Sequence, residues 1–290
     1  MYGGTHIGRA RRSRIVAVTI LFMYAVGFFE PFLAFMPHHS ALAAQVTIDS
    51  DAAINGTSHF QSGGQTVFIS DQVGYKFFKD DLGGAGVGPC VYRKTTDGGA
   101  SWSGTTTVDA QTDCVHVQVW YDKWTPGSAS SSIHIATLDT SADDIFYNRL
   151  DTDGDTLLMN SSPVSMVSNT AQGGTIAENA NTMSITRGTD GTIYAVSNDG
   201  ADSYIVECTV SCNLAASWTE TGTSPLDFAN DYDILVPLAS GNIMVIDRDI
   251  SLEDIRYKVW TDSSATWTPT WTAIDSNATD NTTYDVGMAV

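Results

Sequence analysis

The sequence reads as an all-β protein assembled from repeated antiparallel sheets of four strands, and three observations carry that reading. Beyond residue 45 no segment shows sustained helical periodicity, while short β-branched and aromatic runs alternate with clusters of Gly, Asp, Asn and Ser. An eight-residue turn pattern recurs, its last positions falling at 102, 157, 218 and 267. Each copy follows strand-like runs of the same kind, which gives a unit of roughly 50 to 60 residues.

The turn copies align position by position. TTDGGASW runs from Thr95 to Trp102, SCNLAASW from Ser211 to Trp218 and WTDSSATW from Trp260 to Trp267. The third position is Asp or Asn, the fifth small, the seventh a hydroxyl and the eighth Trp. A weaker copy, LDTDGDTL at 150–157, keeps the glycine and the hydroxyl and ends in Leu. The strand before each copy is CVYRK (90–94), IFYNR (145–149), YIVEC (204–208) or IRYKV (255–259). One place earlier stand TVFIS (66–70), SIHIATL (132–138), TIYAVS (192–197) and NIMVID (242–247), and earlier again CVHVQVW (114–120), TMSIT (182–186) and YDILVPL (232–238). On this alignment the first unit lacks a first strand, and residues 71–88 form a long loop. The expected units are 45–110, 114–168, 181–222 and 231–275, with a further strand at 284–290. That strand either completes the first unit, closing a four-bladed ring, or opens another blade of a truncated six-bladed one.

Radially repeated four-stranded sheets are the sequence signature of a β-propeller. The turn pattern resembles the Asp box, or BNR repeat, of the sialidase superfamily of β-propellers, and the first copy matches it at every position. The resemblance covers about residues 60 to 290. It implies that the box lies between the third and fourth strands of each blade, away from the substrate face. Thr95, Asp97, Gly99, Ser101, Trp102, Ser211, Asn213, Ser217, Trp218, Asp262, Thr266 and Trp267 are then structural. The physics agrees: a turn Asp can accept hydrogen bonds from nearby N–H groups, Gly can take positive φ, and Trp can bury its rings.

A sialidase would also carry a carboxylate-gripping arginine cluster, one member in an Arg-Ile-Pro tripeptide. No such tripeptide occurs here. Arg93, Arg149 and Arg256 fall in third strands beside the boxes and Arg187 near the lower end of a first strand, which leaves Arg248 alone for the upper face. No catalytic residue is therefore assigned, and the catalytic set is unknown.

The N-terminus carries Arg9, Arg11, Arg12 and Arg14 ahead of an apolar run from Ile15 to Phe29, with Ala41-Leu42-Ala43 offering a cleavage site. Residues 1–43 read as an export signal, or as a membrane anchor if uncleaved, and either places the remainder outside the cell. The leader takes four of the 14 basic residues and one of the 33 acidic ones, leaving ten against 32 and a net charge of −22. Such a surface disfavours nucleic acid and anionic lipid. Four cysteines in an exported chain favour disulfides, with Cys90–Cys114 and Cys208–Cys212 the economical pairing. The second bond requires the strand to turn between its cysteines.

Recognition is expected on the loops opposite the boxes. DTSADD (139–144), SNDGADS (197–203) and DRDISLED (247–254) are all acidic, with Asp139, Asn198 and Asp247 in equivalent places. Asp139, Asp143, Asp144, Asp199, Asp202, Asp247, Asp249, Glu253 and Asp254 are the candidate ligand- or cation-binding residues. Calcium suits their oxygen chemistry, although solvated turn formation explains many Asp residues equally well. Tyr75, Phe77, Phe78, Trp120, Tyr121 and Trp124 are the aromatics near this mouth. His116 and His134 stand in alternating strands and read as packed rather than metal-bound. The function expected is a non-catalytic exported module binding a glycan or an extracellular protein, with a glycoside hydrolase as the alternative.

Overall fold

The computed structural model describes residues 45–49, 65–80, 88–111, 114–139, 144–166, 183–198, 203–221, 232–249 and 254–276. The chain divides after Gln45, and the unit Val46–Val290 carries the sheets of the described residues. Four antiparallel sheets follow one another along it. The first contains β1 (Thr66–Phe68), β2 (Gly74–Lys79), β3 (Cys90–Thr95) and β4 (Thr106–Asp109) in sequence order. The second contains β5 (Cys114–Tyr121), β6 (Ser132–Asp139), β7 (Asp144–Asp151), β8 (Thr156–Leu157) and β9 (Val164–Ser165). The third contains β10 (Met183–Arg187), β11 (Ile193–Asn198), β12 (Ser203–Cys208) and β13 (Thr219–Glu220). The fourth contains β14 (Tyr232–Pro237), β15 (Ile243–Asp249), β16 (Asp254–Thr261), β17 (Thr266–Trp267) and β18 (Thr272–Asp275). In the second and fourth sheets the outer edge is shared by two short strands, β8 and β9 on β7, and β17 and β18 on β16.

The sheets stack as propeller blades do. β5 packs on β2 and β3, β10 on β5 and β6, and β14 on β10 and β11, so each first strand meets the inner strands of the preceding sheet. Strand alternation explains why this works. In β6, Ile133 and Ile135 face the first sheet, while Ala136 and Leu138 face the third. In β11, Ile193 and Ala195 face the second sheet, and Tyr194 and Val196 the fourth. A sheet buried on both faces has no polar side, so its strands read as nearly continuous apolar runs.

The first sheet and the expected mouth aromatics differ from the sequence reading. TVF at 66–68 is the first strand of its sheet, and its second strand is GYKFFK at 74–79, inside the segment read as a loop. The first sheet thus has a first strand of its own, three residues long and paired Thr66 to Lys76. Four of the six expected mouth aromatics, Tyr75, Phe77, Trp120 and Tyr121, are buried between sheets rather than displayed.

Both disulfides form. Cys90–Cys114 ties β3 of the first sheet to β5 of the second across a Cα separation of 5.6 Å. Cys208–Cys212 closes a loop just past the end of β12, with Cα atoms 5.7 Å apart, because the chain reverses through Ser211 at φ 55°. Bridges of this kind belong to oxidising compartments. Among the described residues no helix is long and apolar enough to cross a membrane.

Leu138 is fully buried between the second and third sheets, whereas Leu158 is 45% exposed at their rim. Leu138→Ala should cost about 2–5 kcal/mol of unfolding free energy by urea titration, and Leu158→Ala should stay within about 0.5 kcal/mol of the parent.

Candidate functional site

The four recurrent turns all lie between a third and a fourth strand, on one end of the stack. In the first, Asp97 accepts from the Thr95 hydroxyl at 2.8 Å and from the N–H and hydroxyl of Ser101, while Gly99 N–H donates to Thr95 Oγ1. The Ser101 hydroxyl and N–H, with Thr95, hold the Asp97 carboxyl at about 2. Gly98 and Gly99 adopt φ of 72° and 93°, and a side chain at Gly98 would press on the Asp71 carbonyl. Two tyrosines reach the turns of the next sheet: Tyr75 donates to Asp155 at 3.1 Å and Tyr194 to Asp262 at 3.2 Å. Trp218 is fully buried in the core between the second and third sheets, its Nε1 donating to Cys212 O, and Trp267 packs on the core between the third and fourth.

At the opposite end, Asp143, Asp199, Asp202 and Glu253 lie outside the described residues. Asp139 and Asp144 pair at the last rung of β6–β7, and Asp249 and Asp254 at the last rung of β15–β16. Asp249, not Asp247, is therefore the counterpart of Asp139 and Asn198, because β15 runs two residues further than its sequence suggests. Asp247 is fully buried and accepts from Arg256 Nε at 2.6 Å, and that guanidinium lies 4.6 Å from the Trp271 ring centroid. Its carboxylate is an internal ion-pair partner. Asp139 is fully buried beside Asp109, which accepts from Thr137 Oγ1 at 2.7 Å, and burial pushes the Asp109 carboxyl up. Among the described residues no group of three or more His, Cys, Asp or Glu side chains is arranged to hold a metal ion.

A cleft of about 500 Å³ opens on the end bearing the turns, between the second and third sheets. The β5–β6 connection builds one side of it. There Asp122 opens a 3-10 turn, Trp120 Nε1 donates to Thr125 Oγ1 at 2.9 Å, and that hydroxyl donates to the Arg187 carbonyl at 2.7 Å, stitching the connection onto β10. Arg187 Nη1 donates to Ser128 Oγ at 2.8 Å, and its Nε lies 3.4 Å from Asp122 Oδ1. Gly191, at φ 99°, leaves room for this guanidinium, since a Cβ there would stand 3.2 Å from Arg187 Nη2. The Cys208–Cys212 loop supplies the facing wall through Thr209, Val210 and Ser211.

His134 sits at the centre, 4% exposed. Its Nε2 lies 2.9 Å from Asp122 Oδ1 and its Nδ1 2.8 Å from the Tyr147 hydroxyl. The carboxylate only accepts, so Nε2 carries the proton and Nδ1 accepts from Tyr147. Burial pushes the His134 ring down and the Tyr147 hydroxyl up, keeping the ring neutral and the phenol protonated at neutral pH. Burial also pushes Asp122 up, but hydrogen bonds from His134, Ser130 and the Ser132 N–H outweigh it and hold the carboxyl at about 2. Arg149 faces His134 across the β6–β7 ladder. Its buried Nε has no hydrogen-bond partner, and among the described residues its guanidinium meets no carboxylate.

The sequence assigned this end to scaffolding and did not single out the cleft. Two signals pointed to it: His134 in an alternating strand, and Arg149 and Arg187 placed at the same lower end of neighbouring units. The convergence itself is tertiary, since Asp122, Tyr147 and Arg149 come from one sheet and Arg187 and Cys212 from the next.

No protein-family model matches the chain, and no curated protein matches it. Among solved structures it is similar to an exo-β-1,3-galactanase from Phanerochaete chrysosporium with β-1,3-galactotriose, at 13% identity and TM-score 0.45, covering 74% of this chain and 50% of that one. An exo-β-1,3-galactanase from Clostridium thermocellum gives 12%, 0.44, 80% and 53%, and a PL25 ulvan lyase 10%, 0.44, 68% and 51%, in the same order. The chain spans about half the length of these structures. At that level of similarity no residue role transfers, and function has to be argued from this chain's own groups.

Asp122 in the cleft and Glu207, on the face of the third sheet that meets the fourth, titrate with opposite signs. Asp122 lies below the ordinary carboxylate value, so its stabilisation is present above about pH 4 and is lost as pH falls through about 2. Asp122→Asn should lower stability by about 2 kcal/mol at pH 7, and the gap should close as denaturation curves are repeated toward pH 2. Glu207, with Oε2 buried and unbonded, is pushed up from 4.5 to about 7 by burial and by Asp262 and Asp190. Its protonated form suits the fold, so that contribution is complete below pH 4.5 and is lost as pH rises through about 7. Glu207→Gln should raise the urea midpoint at pH 8 and leave it nearly unchanged at pH 4.

Proposed function

We propose that this chain is an exported, non-catalytic β-propeller that binds a glycan in the cleft between its second and third sheets. The carrying observation is the lining of that cleft. Ser130, Ser132, Thr209, Ser211 and Asn213 present hydroxyl and amide groups, and Leu158 and Val210, 45% and 71% exposed, form an apolar lip. A sugar offers the matching surface, with hydroxyls around its edge and an apolar face of C–H bonds. About 500 Å³ falls within the range of small-ligand clefts, ~300–1,000 Å³. Leu214, in the same turn as Asn213, is also exposed, at 54%. Export agrees with the leader and with two disulfides.

The charge arrangement favours binding over hydrolysis. Glycoside hydrolysis commonly uses two carboxyl groups flanking the bond, one of them free to give or take a proton. Among the described residues the carboxyl lining this cleft is Asp122, and it is committed to His134, Ser132 and Arg187.

Screening the protein on an immobilised glycan panel should give saturable binding, and the Leu158→Ala, Val210→Ala double variant should weaken it at least tenfold while melting at the parent temperature. Turnover of a chromogenic glycoside that Asp122→Asn abolishes would replace the binding reading with an enzymatic one.

A further inference from the structure

Resting on the cleft being a glycan site, we propose that its ligand carries a single anionic substituent, a carboxylate or sulfate ester, and that Arg149 reads it. Among the described residues three ionisable groups on the cleft wall are charged at neutral pH, Asp122, Arg149 and Arg187, with His134 neutral. Their sum is +1, in a chain whose formal net charge is −19. The two arginines are not equivalent. Arg187 is tethered to Asp122 and Ser128 and lies over Gly191. Arg149 has no such partner among the described residues, and its Nε is buried without a hydrogen bond.

A guanidinium on the wall of a cleft with no carboxylate partner is stabilised by an anion that enters it, and its planar fork matches the oxygens of a carboxylate or sulfate. Asp122 does not neutralise it, because that carboxylate is satisfied by His134, Ser132 and Arg187. One anionic group balances the residual charge. A polyanion instead meets the repulsion of the whole surface.

The test is titration calorimetry of the full chain with D-galacturonate, its uncharged methyl ester and galactose 6-sulfate. The acid or the sulfate should bind about 10- to 100-fold more tightly than the ester, and the tighter of the two identifies the group. Arg149→Gln should remove that preference, Arg149→Lys should retain part of it, and added salt should erode it. An ester that binds as tightly as both charged sugars, or a preference that survives Arg149→Gln, overturns the assignment while leaving the cleft as a neutral-glycan site. If none of the three sugars gives saturable binding that the Leu158→Ala, Val210→Ala variant weakens, the glycan reading falls and takes this inference with it.

Discussion

Everything in this molecule depends on sheets that are apolar on both faces. A half-buried antiparallel sheet is satisfied by one covering layer, but the second and third sheets each need two, one from the sheet before and one from the sheet after. That requirement fixes the stacking order, forces consecutive units into contact, and expels polar groups to the two ends where strands reverse. Chemistry is therefore confined to the ends, and what distinguishes one gap between sheets from the next is how its rim is closed.

The rims are closed differently. Between the first and second sheets a tyrosine hydroxyl reaches Asp155 of the neighbouring turn, and between the third and fourth Tyr194 reaches Asp262. Between the second and third sheets the corresponding turn contains Asn213 and a disulfide, and among the described residues no tyrosine hydroxyl bonds to it. The polar groups at this rim turn inward instead, Tyr147 to His134 and His134 to Asp122, leaving an open cleft beside them. The same construction that seals two gaps leaves the middle one accessible.

Much of the fold was legible because it rests on local signals that repeat. Third strands precede the tryptophan-ended turns in three sheets and the leucine-ended turn in the other, and the cysteines pair as neighbours in sequence. The first sheet was misaligned because β1 has three residues, too few to show alternation, and because GYKFFK carries a glycine and two lysines that look like loop chemistry. The bounds of β15 were missed for a related reason: Asp247 looks like a turn former until Arg256 is found opposite it. The cleft was hardest to see. His134 bonds Asp122, twelve residues before it, and Tyr147, thirteen after it, at separations set by a ten-residue gap and a strand register. Arg187 joins them only through the stacking of two sheets.

The short covalent ring at Cys208–Cys212 has an evolutionary corollary. Its backbone course is held by the bond and by the left-handed turn at Ser211 rather than by the identities of Thr209 and Val210, both of which face the opening. Exchanging those two side chains alters what the wall offers a visitor without asking the scaffold to refold, so descendants of this chain have two adjacent codons on which to retune preference cheaply.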